Sequence, residues 1–333
     1  MAAEDLIDIV IPWVNSNDPA WQAEKRKYDG SVDAEEDARD IRYRDWDNLK
    51  YVFRSIEECA PWVNRIHFVT WGHVPEWMNL NHPKLHIVNH KDYIPEEYLP
   101  TFSSHVLELN MHRIPGLSEQ FIYFNDDIFF LRKVKQTDFF RNGLPCDANI
   151  SNLIVPSRTS FTPIVFKSVA YINKYFNKHE AIKKRLGQYL NFRYGFSGIV
   201  SFFMFMRWEY YTGFFNHHLA ISYLKRTLET VWEKEPEIMQ QTSSHRFRDN
   251  NDVNQYIFRF WQLASGDFCP YSLHGKYFKV SDNNKKIISF IRKKKGRMIC
   301  INDDEFTGDF EAIKQEINGE LDRRFPNKSQ FEI

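Results

Sequence analysis

Between residues 6 and 130 the chain alternates short β-rich runs with stretches of helical spacing. That alternation restricts it to an α/β architecture built from βαβ-type units around a mostly parallel sheet. The strand-like runs are residues 6–12, 65–70, 84–88 and 121–124. Between them, residues 47–59 carry Leu49, Val52, Phe53 and Ile56 at helical spacing, and Pro61 ends the run. Residues 103–113 are also predicted helical, Trp77-Met78-Asn79 fits a short helix, and residues 22–40 read as a loop or loose helix. The run at 120–124 ends in Asn125-Asp126-Asp127. Open parallel sheets place their ligands beyond such strand ends, and carboxylate oxygens with substrate phosphates are the usual way to hold Mg²⁺. The same tripeptide is also good turn chemistry.

The pattern changes after residue 130. Residues 165–265 are mostly helical by spacing, with helices predicted at 218–234 and at 252–264, the latter capped by Asp252. Residues 285–291 and 297–301 read as two further strands, the second leading into Asn302-Asp303-Asp304. A late strand returning to the sheet would bring this second acidic turn towards the first. No internal repeat, low-complexity tract or linker interrupts the chain. The expected organisation is one catalytic unit over 1–333. Residues 1–150 plus 285–310 form its α/β core, and 151–284 a mainly helical insertion that carries His218 and Arg248.

Lys+Arg and Asp+Glu balance at 44 each, so nothing marks the whole chain as a nucleic-acid binder. Charge is local instead. Lys293-Lys294-Lys295-Gly296-Arg297, with Lys285, Lys286 and Arg292, forms a basic cluster that could meet anionic lipid or a polyanionic product, or be a solvated loop. The 16% aromatic content supports a large core or an aromatic-lined surface. The four cysteines contain no CxxC pair, which argues against a zinc site and a disulfide scaffold. The first residues lack the pattern of a secretory signal, and the apolar stretch at 199–206 is too short to span a bilayer. A cytoplasmic location is therefore expected.

Five groups of residues could carry chemistry. Trp13-Val14-Asn15 with Asp18 follows the first strand and could bind a base, ribose or phosphate, or simply turn the chain. Arg42-Tyr43-Arg44-Asp45 could clamp a pyrophosphate, while Asp45 or Asp47 could equally cap the next helix. Thr101 and Ser103 could meet substrate hydroxyls or cap a helix on which His105, Glu108 and His112 share a face. The fourth and fifth are His217-His218 and His245-Arg246-Phe247-Arg248 with Asp252: a histidine can move a proton, and an arginine can stabilise charge on a transferring phosphoryl group. There is no P-loop, GxGxxG or Gly-x-Ser-x-Gly.

Taken in order, these pieces resemble the Stealth family. Ile7-Asp8-Ile9-Val10-Ile11-Pro12-Trp13-Val14-Asn15 with Asp18 resembles its first block. Residues 42–130 resemble its second, through Arg54-Ser55-Ile56, Ala60-Pro61-Trp62, Pro75-Glu76-Trp77, Thr101-Phe102-Ser103-Ser104 and Phe121-Ile122-Tyr123-Phe124-Asn125-Asp126-Asp127. Residues 214–266 resemble the third block and Cys300-Ile301-Asn302-Asp303-Asp304 the fourth.

The resemblance implies a Rossmann-like, glycosyltransferase-A-like core. It also implies transfer of a hexose- or N-acetylhexosamine-1-phosphate from a UDP-sugar to a glycan hydroxyl, with UMP released, in capsular polysaccharide synthesis. A conventional metal-dependent glycosyltransferase releasing UDP is the alternative. Carried over residue by residue, it makes His218, Arg248 and Asp127 catalytic. Asp126, Asp127 and Asp303 would hold Mg²⁺ or Mn²⁺. Trp13, Asn15, Asp18, Arg42, Arg54, Thr101, Ser103, Asn125, Asp252 and Asn302 would bind substrate. One departure is His218-Leu219-Ala220 where relatives often carry His-x-Pro, which leaves the choice between His217 and His218 open. The implied partners are a UDP-sugar donor and a lipid-linked oligosaccharide or polysaccharide acceptor, with peripheral contact at the inner membrane face and no nucleic acid.

Overall fold

The computed structural model describes residues 6–29, 36–37, 44–155, 161–272, 274–304 and 306–333. Strands β1 (Ile7–Pro12), β2 (Ile66–Thr70), β3 (Leu85–Asn89) and β4 (Gln120–Tyr123) are parallel and lie in the order β3-β2-β1-β4. Helices α1 (Pro19–Asp29), α2 (Leu49–Cys59) and α3 (Ser104–Leu109) fall between them along the chain. Successive strands move outward from β1 on one side and then cross to β4 on the other. The strand order therefore reverses between β1 and β4, and the C-terminal ends of those two strands flank the crevice where open α/β sheets bind ligands. Phe124 N–H donates to Val10 O at 3.0 Å, so the two ends are laced together up to the last residue before Asn125.

Alternation along the strands builds two cores. Ile7, Ile9 and Ile11 face one cluster with Ile122 and Phe124, while Val10, Phe121 and Tyr123 face the other. On α2 the residues Leu49, Val52, Phe53 and Ile56 are buried, as their spacing predicts.

Beyond β4 the chain forms β5 (Ile128–Phe130), β6 (Leu144–Asp147) and three helices, α4 (Thr162–Tyr175), α5 (Lys178–Tyr189) and α6 (Gly195–Phe205). It then adds β7 (Ile221–Leu224), antiparallel to β4 at the edge of the main sheet. Helices α7 (Lys225–Lys234), α8 (Pro236–Ser244) and α9 (Tyr256–Ser265) follow. Next come β8 (Gly275–Lys279), α10 (Lys285–Arg292), β9 (Met298–Asn302) and α11 (Phe310–Arg324). A second sheet has the order β8-β9-β5, with β9 antiparallel to β5.

Several expectations are corrected. Residues 285–291 form α10, not a strand: Ile287, Phe290 and Ile291 are buried at helical spacing, a set that a five-residue apolar run cannot distinguish from a strand. The helix expected from 218 starts only at Lys225, because Ile221–Leu224 are all buried and pair with Gln120–Tyr123. The helix expected from 252 starts at Tyr256, and Asp252 does not cap it: its carboxylate is taken by His105 and His245. Trp77-Met78-Asn79 is a turn, held where Met78 bridges to Glu332. Asn48, not Asp47, precedes α2. The late strand β9 does return the second acidic turn, but through the second sheet: Ile301 N–H donates to Asp127 O at 2.9 Å.

Candidate active site

A cavity of about 280 Å³ opens at the reversal point of the main sheet. Trp13 and Val14 come from the end of β1, and Asn125, Asp126 and Asp127 from the end of β4. Asn302 and Asp303 come from the end of β9, brought in by the antiparallel pairing of β9 with β5. A second wall is Arg44, Asp45 and Trp46, just before α2. A third is Thr101, Ser104 and Glu108, with Arg248 alongside.

Each wall has a local cause. Trp13 is stacked on Phe68 at 5.5 Å, which fixes the ring against the sheet. The Arg44 guanidinium lies over Phe306 and Phe310 at 5.2 and 4.8 Å, and its Nε is 3.5 Å from Asp303 Oδ2. Arg248 Nη2 donates to Ser104 Oγ at 2.8 Å. Glu108 accepts from Tyr123 Oη at 3.0 Å and from Gln255 N at 3.3 Å, tying α3 to the sheet.

The acidic turn is electrostatically stressed. Burial, with repulsion from Asp127 and Asp45, pushes the Asp126 carboxyl up to about 7. Burial likewise pushes Asp127 up to about 6, although the Cys300 thiol donates to its Oδ2 at 3.3 Å. Asp127 Oδ1 and both Asp303 oxygens are buried and accept no hydrogen bond. Burial raises Asp303 too, opposed first by the neighbouring Trp46 indole and then by Arg44. Buried carboxylates without donors are what a hard divalent cation relieves, and Mg²⁺ commonly takes one or two carboxylates and completes its shell with substrate phosphates and water. The residues present therefore fit such an ion. Among the described residues, the group with three ligand atoms within 4.8 Å of one another is a different one, His245, Asp249 and Asp252. Its atoms are already engaged: Asp252 Oδ1 meets His245 Nδ1 at 2.6 Å and its Oδ2 meets His105 Nδ1 at 2.7 Å.

His218 is not among the cavity-lining residues but lies one strand away. Its ring stacks on Tyr277 at 4.9 Å, and Tyr277 is the register partner of Cys300, whose thiol reaches Asp127. His218 has φ 47°, a left-handed conformation rare outside glycine and worth noting at a site. Burial, with His217 and Lys279 nearby, pushes its imidazole down to about 4, so it is neutral at physiological pH. His217 is tied down. It is fully buried, its Nδ1 accepts from Leu219 N at 3.1 Å, and it sits 3.7 Å from Asp147, which Arg259 grips at 2.7 and 2.9 Å.

The other expected site residues divide. Trp13, Thr101, Asn125, Asp126, Asp127, Arg248, Asn302 and Asp303 all line the cavity. Asn15 does not: its side chain accepts from Asn17 N in a turn. Asp18 Oδ1 accepts from Trp21 N and caps α1. Ser103 is buried beside the third wall with its hydroxyl unpaired. Arg54 lies elsewhere, clamped on Glu332 at 2.8 and 2.7 Å and on Phe325 O. Asp252 does not line the cavity: its carboxylate is taken by His105 and His245, which do not line it either. Arg42 lies outside the described residues. His105, Glu108 and His112 do not converge. His112 leaves α3 and packs near Trp232, where burial pushes it down to about 3. Trp46, Ser104 and His90 line the cavity without having been singled out. Their only sequence signal was adjacency to Asp45 and Ser103, and His90 had none.

Residues 7–33 match the family model described as Stealth protein CR1, conserved region 1, and residues 42–146 match Stealth protein CR2, conserved region 2. The capsular polysaccharide phosphotransferase WcwK of Streptococcus pneumoniae is 40% identical, covering 98% of both chains. The receptor polysaccharide phosphotransferase WefC of Streptococcus oralis is 36% identical over 98% of this chain and 99% of that one. The exopolysaccharide phosphotransferase cps2G of Lactiplantibacillus plantarum is 36% identical over 98% and 96%. Among solved structures, the galactosyltransferase LgtC with donor and acceptor sugar analogs aligns over 97% of this chain and 98% of that one, at 11% identity and TM-score 0.39.

Proposed function

The chain belongs to the Stealth family, and from that membership we propose that it transfers a hexose- or N-acetylhexosamine-1-phosphate from a UDP-sugar to a glycan hydroxyl in cell-surface polysaccharide synthesis. The observation that carries the reading is the cavity at the sheet's reversal point. There, half-buried Asp126 and Asp127 line the same cavity as Arg44 and Arg248. That is an acid-and-arginine setting suited to a diphosphate and a cation, not to an uncharged ligand.

Asp126, Asp127 and Asp303 would hold Mg²⁺ or Mn²⁺. When bound, the ion would offset charge on the nucleotide leaving group. Trp13 and Asn125 would contact the donor from the two strand ends, with Thr101 and Asn302 on the flanking walls. The acceptor hydroxyl attacks the phosphorus that bears the sugar. A bond forms from the acceptor oxygen to that phosphorus, and the bond to the bridging oxygen of the diphosphate breaks, releasing UMP. Arg248 would stabilise the equatorial oxygens as charge shifts. Neutral His218 would take the hydroxyl proton on an imidazole nitrogen. Burial makes it a weak base, so deprotonation must run with bond formation. The alternative in which His218 itself is phosphorylated first uses the same neutral ring. Asp252 acts as a positioning residue, since it anchors His245 and His105 on the wall that carries Arg248 and Ser104.

The acceptor in this reading is a lipid-linked oligosaccharide or polysaccharide at the cytoplasmic face of the membrane. No helix among the described residues is long and apolar enough to cross a membrane, so any membrane contact by these helices would be peripheral. Donor consumption with and without EDTA separates an enzyme from a sugar-binding module. Chromatography of the released nucleotide then decides the reaction: UMP supports phosphotransfer, and UDP shows a conventional glycosyltransferase.

A further inference from the structure

Helix α6 is inside out. Its buried face is Gly198, Ser201 and Phe202, while Phe196, Val200, Phe203 and Met204 point to solvent. These four occur at i, i+4, i+7 and i+8, one face of a helix. The small residues allow close seating: a Cβ on Gly198 would meet Tyr194 Cβ at 2.4 Å, and Ser201 Oγ donates to Ser151 O at 2.5 Å. Lys178 Nζ caps the far end on Phe205 O at 2.6 Å. The outward face is therefore held in place by the fold. Phe196 is 83% exposed, Phe203 57% and Met204 58%, and Phe192 just before the helix is 88% exposed. A soluble surface rarely carries that many large apolar side chains together.

Cations predominate along the chain around the patch, with Glu180 and Glu209 bounding the run. From Ala181 to Trp208 the chain carries Lys183, Lys184, Arg185, Arg193 and Arg207 and no acidic residue. Of these, Lys183, Lys184, Arg193 and Arg207 are exposed. Trp208 follows the helix, half exposed, as an amphipathic ring suited to a lipid–water boundary. A helix with aromatic and aliphatic side chains on one face and cations at its edges is the form that lies in an anionic bilayer surface. The basic cluster at Lys293–Arg297 is less suited, since Arg297 is engaged by Asp138 at 2.5 Å and neighbouring Arg292 by Glu320 at 2.8 Å.

We propose that the outward face of α6, with Phe192 and the flanking cations, docks this protein on an anionic lipid bilayer. The surface connects to the site through the backbone. Ser151, which receives the Ser201 hydrogen bond, bridges to Phe214, and that strand of chain runs directly to His217 and His218. Docking through α6 thus sets the His218 side of the molecule near the membrane, where a lipid-linked acceptor is presented. This placement rests on the reading of the acceptor as lipid-linked.

The test is co-sedimentation with phosphatidylglycerol-containing vesicles, with no donor or acceptor present. The wild-type protein should bind them, and should bind pure phosphatidylcholine vesicles far less. The double variant Phe196→Ser/Phe203→Ser should lose roughly tenfold or more of the bound fraction. Its melting temperature and its transfer to a soluble acceptor should stay at wild-type values. A second variant, Lys183→Glu/Arg193→Glu, should lose binding to anionic vesicles specifically. The proposal is overturned if the variants bind as the wild type does. It is also overturned if the wild type is a dimer that the Phe196→Ser/Phe203→Ser change makes monomeric, because a second copy then covers the face. Vesicle binding is scored without turnover, so its failure with transfer intact removes the docking surface alone. Vesicle binding with no transfer to any lipid-linked acceptor removes the acceptor reading instead.

Discussion

Replacing Asp126 with Asn should stabilise the protein at alkaline pH in EDTA while abolishing its activity. The carboxyl moves from the usual 3.8 to about 7 on folding, mainly through burial. A group whose folded value is raised binds its proton more tightly when folded, so stability falls as pH rises from 3.8 towards 7 and the penalty is complete above that. That change corresponds to roughly 4 kcal/mol. Asp126 is only half-buried at the cavity wall, and water there screens the charge, so about 2 kcal/mol is the working expectation. For a chain of this size that is a rise of roughly 3–5 °C in melting temperature at pH 8. At pH 5 wild-type Asp126 is mostly protonated, and the advantage of Asn should fall below half. Saturating Mg²⁺ should reverse the order, because only the wild type gains the ion's binding energy. Thermal melts at pH 5 and 8, each with EDTA or Mg²⁺, read all four cases. An Asn variant that melts no higher than wild type at pH 8 in EDTA, or an advantage independent of pH, would refute the reasoning.

Other outcomes follow from the same geometry. His218→Ala should lose about 10²–10⁴-fold in kcat with donor binding intact by calorimetry, and the imidazole's own protonation should add to the loss of wild-type rate only as pH drops towards about 4, below the range in which Asp126 and Asp127 take up protons. Arg248→Ala should lose about 10²–10³-fold in kcat, and Arg248→Lys should recover only part, since a point charge does not replace the fork held by Ser104. Arg54→Ala should cost about 3–5 kcal/mol in urea unfolding, because Glu332 is left buried and unpaired, while KM for the donor in the folded fraction stays unchanged. Asp252→Asn should weaken turnover more than donor affinity, read as a kcat loss with little KM change, because it loosens His245 and His105 rather than a substrate contact.

The parallel half of the sheet was legible because its strands are continuous buried runs separated by helical spacing. Strand β7 was not, since Ile221-Ser222-Tyr223-Leu224 runs straight into the helix-forming Lys225-Arg226-Thr227-Leu228 and nothing marks the junction. Helix α10 was misread because a five-residue apolar run satisfies both periods. At the site, the acidic turn was legible because its chemistry is local. The roles of Arg54, Asp18 and Asp252 were not, since each is decided by its partner. Glu332 stands 278 residues from Arg54 and His105 stands 147 from Asp252. The inside-out face of α6 was also hidden: its composition announces a buried helix, and only the small residues Gly198 and Ser201 show which side is turned inward.

The central claim is that phosphorus travels with the sugar. A UDP-sugar carrying ³²P in the phosphate attached to the sugar, incubated with the protein, Mg²⁺ and a glycan acceptor, tests it directly. The account predicts that the label enters the glycan as a phosphodiester while unlabelled UMP is released. Label retained in UDP, with the sugar alone transferred, would contradict it.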